Sequence, residues 1–149
     1  MNPAPNPLET ALRNLPHGPE FRFSDRLISL TPGKEGVGEY RVRGDEPFLR
    51  GHFPGEPVFP GVLLVEAAAQ LAGIVAQSDP SLPPLRNLKL AALSAVKIPG
   101  TLCPGETMRV QAVIVGRLSG LVQARAEIHV QKRLVLTAGL TLGGSVPVK

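Results

Sequence analysis

Gly51-His52-Phe53-Pro54-Gly55-Glu56-Pro57-Val58-Phe59-Pro60-Gly61 runs without a break into Val62-Leu63-Leu64-Val65-Glu66-Ala67-Ala68-Ala69-Gln70-Leu71-Ala72-Gly73-Ile74-Val75-Ala76-Gln77. Three prolines and three glycines in the first eleven residues make a stiff, tightly turned connection. Such a loop is costly unless a side chain has to be held in place, and His52 is the side chain it would hold. The second stretch is apolar on nearly every side, which predicts a buried helix from Val62 to Gln77 with Glu66 as its exception. At about 100° per residue, Glu66, Gln70, Gly73 and Gln77 fall on one narrow stripe of that helix. An unpaired buried carboxylate costs several kcal/mol when ionised, so Glu66 is expected to hold its proton. A proton-bearing Glu66 and a neutral His52 would form a complementary acid/base pair if the fold brings them together.

Outward from this centre the pattern changes. A short helix is expected from Leu8 to Leu15, stopped by Pro16. Strands follow at 21–31 and 37–43, with Gly33 to Gly38 a hairpin and not a phosphate loop, since no helix follows it. A proline-rich connection over 78–84 ends the central helix and leads into 85–97. Three alternating runs come last: Met108, Val110, Ala112 and Ile114; then Val122, Ala124, Ala126, Ile128 and Val130; then Leu134, Leu136, Ala138, Leu140 and Leu142. Turns are expected at 116–120 and 131–133. One apolar helix followed by an antiparallel meander is an α+β layout in which a sheet buries the helix.

A chain of 149 residues with 43% hydrophobic and 19% charged content predicts one domain, 8–149, behind a frayed arm at 1–7. The first residues lack the basic and apolar regions of a secretory signal, and no apolar run approaches the ~20 residues that cross a bilayer. A single cysteine, Cys103, excludes an internal disulfide framework and suits a reducing compartment, so a soluble cytoplasmic protein is expected. The net charge of +4 comes from dispersed basic residues, and 4% aromatic content with no tryptophan argues against nucleic acid. An acidic partner protein matches this surface better. A metal site from His52, Glu66 and His129 is conceivable by residue type, but its spacing matches no zinc pattern, and neither a metal nor a cofactor is expected. His17, in a Pro-Gly-Pro loop, and His129, on the polar face of a strand, read as structural or solvated. Glu66 has a bland alternative too, as a buried carboxylate capped by Gln70 four residues on.

The run G-H-F-P-G-x-P-x-x-P-G-V-x-x-x-E-x-x-x-Q, from Gly51 to Gln70, resembles the signature of bacterial 3-hydroxyacyl-ACP dehydratases of the FabZ type. Leu15-Pro16-His17 with Asp25-Arg26, Glu46-Pro47-Phe48 before the loop, and Pro104-Gly105-Glu106 extend the resemblance over about residues 8–142. It implies a hotdog fold, with an antiparallel sheet wrapped around a long central helix. It also implies a homodimer whose sites each join the histidine loop of one subunit to the helix carboxylate of the other, with a hexamer as the higher alternative.

By this resemblance His52 is the base at C2 of a (3R)-3-hydroxyacyl thioester and Glu66 helps protonate the departing hydroxyl. Backbone N–H groups of Gly61 and Val62 receive the charge on the thioester carbonyl. Gln70, Gly51, Phe53, Pro54 and Gly55 support the loop and helix, while Phe59, Pro60 and Leu63 border the acyl tunnel. Arg50 and Lys97 are the docking positions expected for acyl carrier protein. Three departures stand out: Gly18-Pro19 replaces a family Arg-Tyr pair, Phe59 replaces a methionine, and Ile98-Pro99-Gly100-Thr101 replaces a basic, aromatic segment. The rival functions are a hotdog acyl-thioester hydrolase, which has no need of the His52 loop, and a non-catalytic carrier-binding homologue, which has no need of His52 and Glu66 together.

Overall fold

The computed structural model describes residues 6–51, 55 and 58–147. Six strands form one antiparallel sheet in the order β1-β2-β4-β5-β6-β3. They are β1 (Arg26–Thr31), β2 (Glu35–Arg41), β3 (Arg86–Lys97), β4 (Thr107–Leu118), β5 (Leu121–Val130) and β6 (Arg133–Ser145). The helices are α1 (Pro7–Arg13), α2 (Pro47–Gly51) and α3 (Gly61–Ala76), with a short 3-10 turn at Pro19–Phe21. The sequence reading placed a strand from residue 21. The chain instead runs irregularly to Asp25, because the backbone groups of Phe21 and Phe23 are taken by a helix side chain rather than by a neighbouring strand.

α3 rests on β2, β4, β5 and β6. Its sixteen residues make it moderate in length, not the long helix expected. Its alanines allow close approach: Ala67, Ala68 and Ala72 are fully buried, and Leu64, Leu71 and Val75 insert between them. Opposite them stand the inward residues of the sheet, Met108, Val110 and Ala112 of β4 and Val122, Ala124, Ala126 and Ile128 of β5. Outward residues of the same strands, such as Arg109, Gln111, Arg125 and Glu127, are exposed, as a period of two requires. On β6 the expected alternation holds from Leu136 to Leu142 and breaks at Leu134. Ile128 pairs with Leu136 and His129 with Leu134, so Val135 is an extra residue, and it is buried beside Leu136 while Leu134 is exposed.

The α3 start is fixed by a second cluster. Phe59 stacks edge-on against Phe23, Tyr40 and Phe48, with ring centroids 5.3–6.0 Å away. The Phe59 amide donates to the Leu102 carbonyl at 2.8 Å, which ties the chain just before the helix to the segment between β3 and β4. Pro60 caps α3 with its carbonyl, accepting from Leu63 and Leu64. Gly55 has φ +90°, a left-handed conformation that any side chain would strain.

β3 differs from the other strands. Nearly all of its residues are exposed, its register with β6 is broken in three places, and its outer edge is the end of the sheet. The exposed set includes Leu90, Leu93 and, just beyond the strand, Ile98. No helix among the described residues is long and apolar enough to cross a membrane.

Candidate active site

Glu66 lies on the second turn of α3, half-buried, and it is not unpaired. Gln70, one turn on, donates its Nε2–H to Glu66 Oε1 at 3.2 Å. The same amide nitrogen donates to the Phe21 carbonyl at 2.7 Å, and Gln70 Oε1 accepts the Phe23 amide at 2.9 Å. Gln70 is 2% exposed, so these bonds cannot be exchanged freely for water. One side chain thereby joins α3 to the segment before β1 and holds Glu66 in place. The isolated buried carboxylate expected from the helix pattern has become a carboxylate with partners.

The second partner comes from outside the helix. His17 Nε2 stands 3.2 Å from Glu66 Oε1. Its ring lies over Phe21, centroids 6.1 Å apart and planes 28° from parallel. Arg22 clamps the backbone that carries it, donating from Nε to the His17 carbonyl at 2.6 Å and from a terminal nitrogen to the Leu15 carbonyl at 3.0 Å. The structural reading of His17 thus acquires a partner that the sequence did not name, the helix carboxylate. A signal was available: Pro16-His17-Gly18-Pro19 repeats the device of the later loop, a histidine held between proline and glycine.

Glu66, Gln70, Gly73 and Gln77 all face one cavity of about 690 Å³, so the polar stripe of α3 is the wall of an open space. Leu88 and Leu90 of β3 line the cavity as well. Gln77 donates to the Leu85 carbonyl at 2.8 Å and accepts the Leu85 amide at 3.0 Å, which satisfies its polar atoms at the far end of the stripe. Gly73 keeps the cavity wide, since a Cβ there would stand 3.9 Å from Leu88. The arrangement is a mostly apolar cleft in which Glu66 and His17 stand close together, with Lys89 also on its lining, suited to an alkyl chain whose polar head sits at Glu66.

The remaining expected residues fall in different places. His52, Phe53 and Pro54 lie outside the described residues, as does the side chain of Arg50, whose backbone belongs to α2. Gly51 closes α2, and Lys97 is exposed at the end of β3. Gly61 and Val62 open α3, where no preceding helical turn supplies acceptors for their amides. A Cβ on Gly61 would come within 3.2 Å of Ile98, so packing as well as access favours glycine there. Phe59, Pro60 and Leu63 are not among the residues lining the cavity along α3, and Phe59, 1% exposed, packs in the aromatic cluster before the helix. His129 stands on the outer face of β5 beside Glu127, at 4.0 Å. The described residues hold no group of three or more potential metal ligands.

A family model described as a FabA-like domain matches residues 15–139. Among curated relatives, a protein of Chloroflexus aggregans named 3-hydroxyacyl-[acyl-carrier-protein] dehydratase FabZ is 33% identical, over 91% of this chain and 93% of its own length. A protein of the same name from Ruminiclostridium cellulolyticum is 37% identical over 80% of this chain and 84% of its own. Among solved structures, the dehydratase heterocomplex ApeI:P of Xenorhabdus doucetiae superposes with a TM-score of 0.76 at 17% identity, covering 93% of this chain and 91% of that one. Zebra fish thioesterase superfamily member 2 follows at 0.68 and 13%, covering 91% of each.

Proposed function

This chain belongs to the FabA-like family, and from that membership we propose how its residues act as a 3-hydroxyacyl-ACP dehydratase in fatty-acid or related acyl-chain synthesis. The observation that carries the reading is Glu66, held by Gln70 and His17 at the wall of a largely apolar cleft. In the reaction His52 takes a proton from C2 of the (3R)-3-hydroxyacyl thioester. The C2–H electron pair becomes the C2=C3 bond as the C3–O bond breaks. Glu66 delivers a proton to the departing hydroxyl, which leaves as water, and the product is the trans-2-enoyl thioester. The charge that builds on the thioester oxygen is met by the amides of Gly61 and Val62 at the positive end of the α3 dipole. The acyl chain then extends along Gln70 and Gly73 toward Gln77, and Arg50 and Lys97 meet the acidic carrier.

The site is completed by a second copy of the chain. β3 offers a twelve-residue edge with exposed Leu90 and Leu93, an edge that self-pairing about a two-fold axis would cover. Because β3 also lines the cleft, such a partner adds its own wall and brings its His52 loop toward Glu66. The sheet and helix would then form a hotdog dimer in the cytoplasm, with a trimer of dimers as its larger assembly.

The reading is tested by following interconversion of 3-hydroxyacyl and enoyl thioesters on acyl carrier protein. The wild type is expected to turn over, and His52→Ala and Glu66→Gln to lose at least about a hundredfold in rate with folding intact. Hydrolysis of the thioester without interconversion would make the chain a thioesterase instead. Carrier binding without either reaction would make it a non-catalytic homologue.

A further inference from the structure

We propose that His17 is a positioning residue that fixes which oxygen of Glu66 carries the transferred proton, an inference that rests on the dehydratase reading. Glu66 Oε1 has two nitrogen neighbours at 3.2 Å, Nε2 of Gln70 and Nε2 of His17. An amide nitrogen can only donate, so Oε1 already accepts one hydrogen bond. Among the described residues His17 Nδ1 is buried with no hydrogen-bond partner, so the ring's hydrogen sits on Nε2, where it has an acceptor. Oε1 thus faces two N–H donors and has no place for a hydrogen of its own. The proton of Glu66 is confined to Oε2.

This arrangement serves both ends of the proton transfer. Before transfer, Oε2–H is the only donor that the carboxyl group can aim at a leaving hydroxyl. After transfer, the new negative charge on the carboxylate is met at once by two N–H groups already in position, with no reorganisation of side chains. The His17 ring is held for this purpose on three sides: Arg22 on its backbone, Phe21 on its face and Glu66 at its edge. A histidine present only for packing would not need its edge nitrogen turned to the helix carboxylate.

The test compares His17→Leu and His17→Gln in the dehydration assay, alone and in the Glu66→Gln background. His17→Leu is expected to lower kcat about ten- to a hundredfold and leave KM within about twofold, the size expected when one hydrogen bond to a charged group is lost. His17→Gln, whose amide N–H reaches about as far as Nε2, is expected to recover most of that loss. In the Glu66→Gln background the leucine substitution should cost little more, since the transferable proton that His17 positions is gone. An equal loss in both backgrounds, a loss confined to KM, or no rescue by glutamine would overturn the proposal and leave His17 a packing residue. A wild type that performs no dehydration would defeat the dehydratase reading instead. The contact is then read directly by long-range ¹H–¹⁵N spectra of His17. An Nε2–H tautomer that becomes a mixture in Glu66→Ala supports the contact, and an Nδ1–H tautomer in the wild type refutes it.

Discussion

Replacing Gln70 by leucine keeps the side-chain volume and removes three hydrogen bonds at one stroke. The Phe23 amide loses its acceptor in a buried setting, the Phe21 carbonyl loses a donor, and Glu66 loses the nearer of its two supports in sequence. A stranded buried N–H costs ~1–3 kcal/mol, and each of the other two, partly reachable by water, about 1 kcal/mol. The leucine recovers about 1 kcal/mol by burying apolar surface where Gln70 is now 2% exposed. The net loss is about 3 kcal/mol, which in a chain of 149 residues corresponds to a fall in Tm of ~6–12 °C. Urea and thermal unfolding, followed by circular dichroism at one fixed protein concentration, measure it without interference from assembly. A loss below about 0.5 kcal/mol, the scale of an ordinary surface substitution, would refute the view that Gln70 anchors the segment before β1.

Two further outcomes are expected. Gly73→Leu fills the cleft partway along the stripe beside Leu88, so turnover of long acyl substrates should fall at least about tenfold while short ones are spared, read by the same assay across chain lengths. Glu39 is held below its ordinary carboxylate value of 4.5 by Arg109 and then Arg26, so its ionised form stabilises the fold above that value and the contribution is lost as pH falls through the lower folded one. Glu39→Gln should therefore cost ~0.5–1 kcal/mol near neutral pH, with the difference from wild type gone at about pH 2, as measured by urea titrations at both ends.

How much of this was legible in the sequence depends on how local the cause is. The spacing of Glu66, Gln70, Gly73 and Gln77 is a property of one helix, and all four do face one cleft. The alternation in β4 and β5 is equally local, and it fixes which residues face α3. Where a partner across the fold decides, sequence pattern ran out. The bulge at Val135 depends on register with β5, the irregular chain before β1 depends on Gln70, and the core position of Phe59 depends on Phe23, Tyr40 and Phe48. β3 carries no alternation of burial, since one side meets the open cleft and its edge is free. The approach of His17 to Glu66 is hidden for the same reason: 49 positions separate them, and the folded turn held by Arg22 brings them to 3.2 Å.

A dehydratase site built from two copies of this chain can be reconstituted by mixing defective subunits. His52→Ala and Glu66→Gln, each at or below about a hundredth of wild-type activity alone, are unfolded together, refolded and assayed for formation of enoyl-ACP from 3-hydroxyacyl-ACP. Random pairing puts both substitutions in the same site in half of the sites of mixed dimers, leaving the other half intact, so recovery of about a quarter of wild-type activity is predicted. No recovery from a mixture shown to contain mixed dimers would contradict the account and place the whole site within a single subunit.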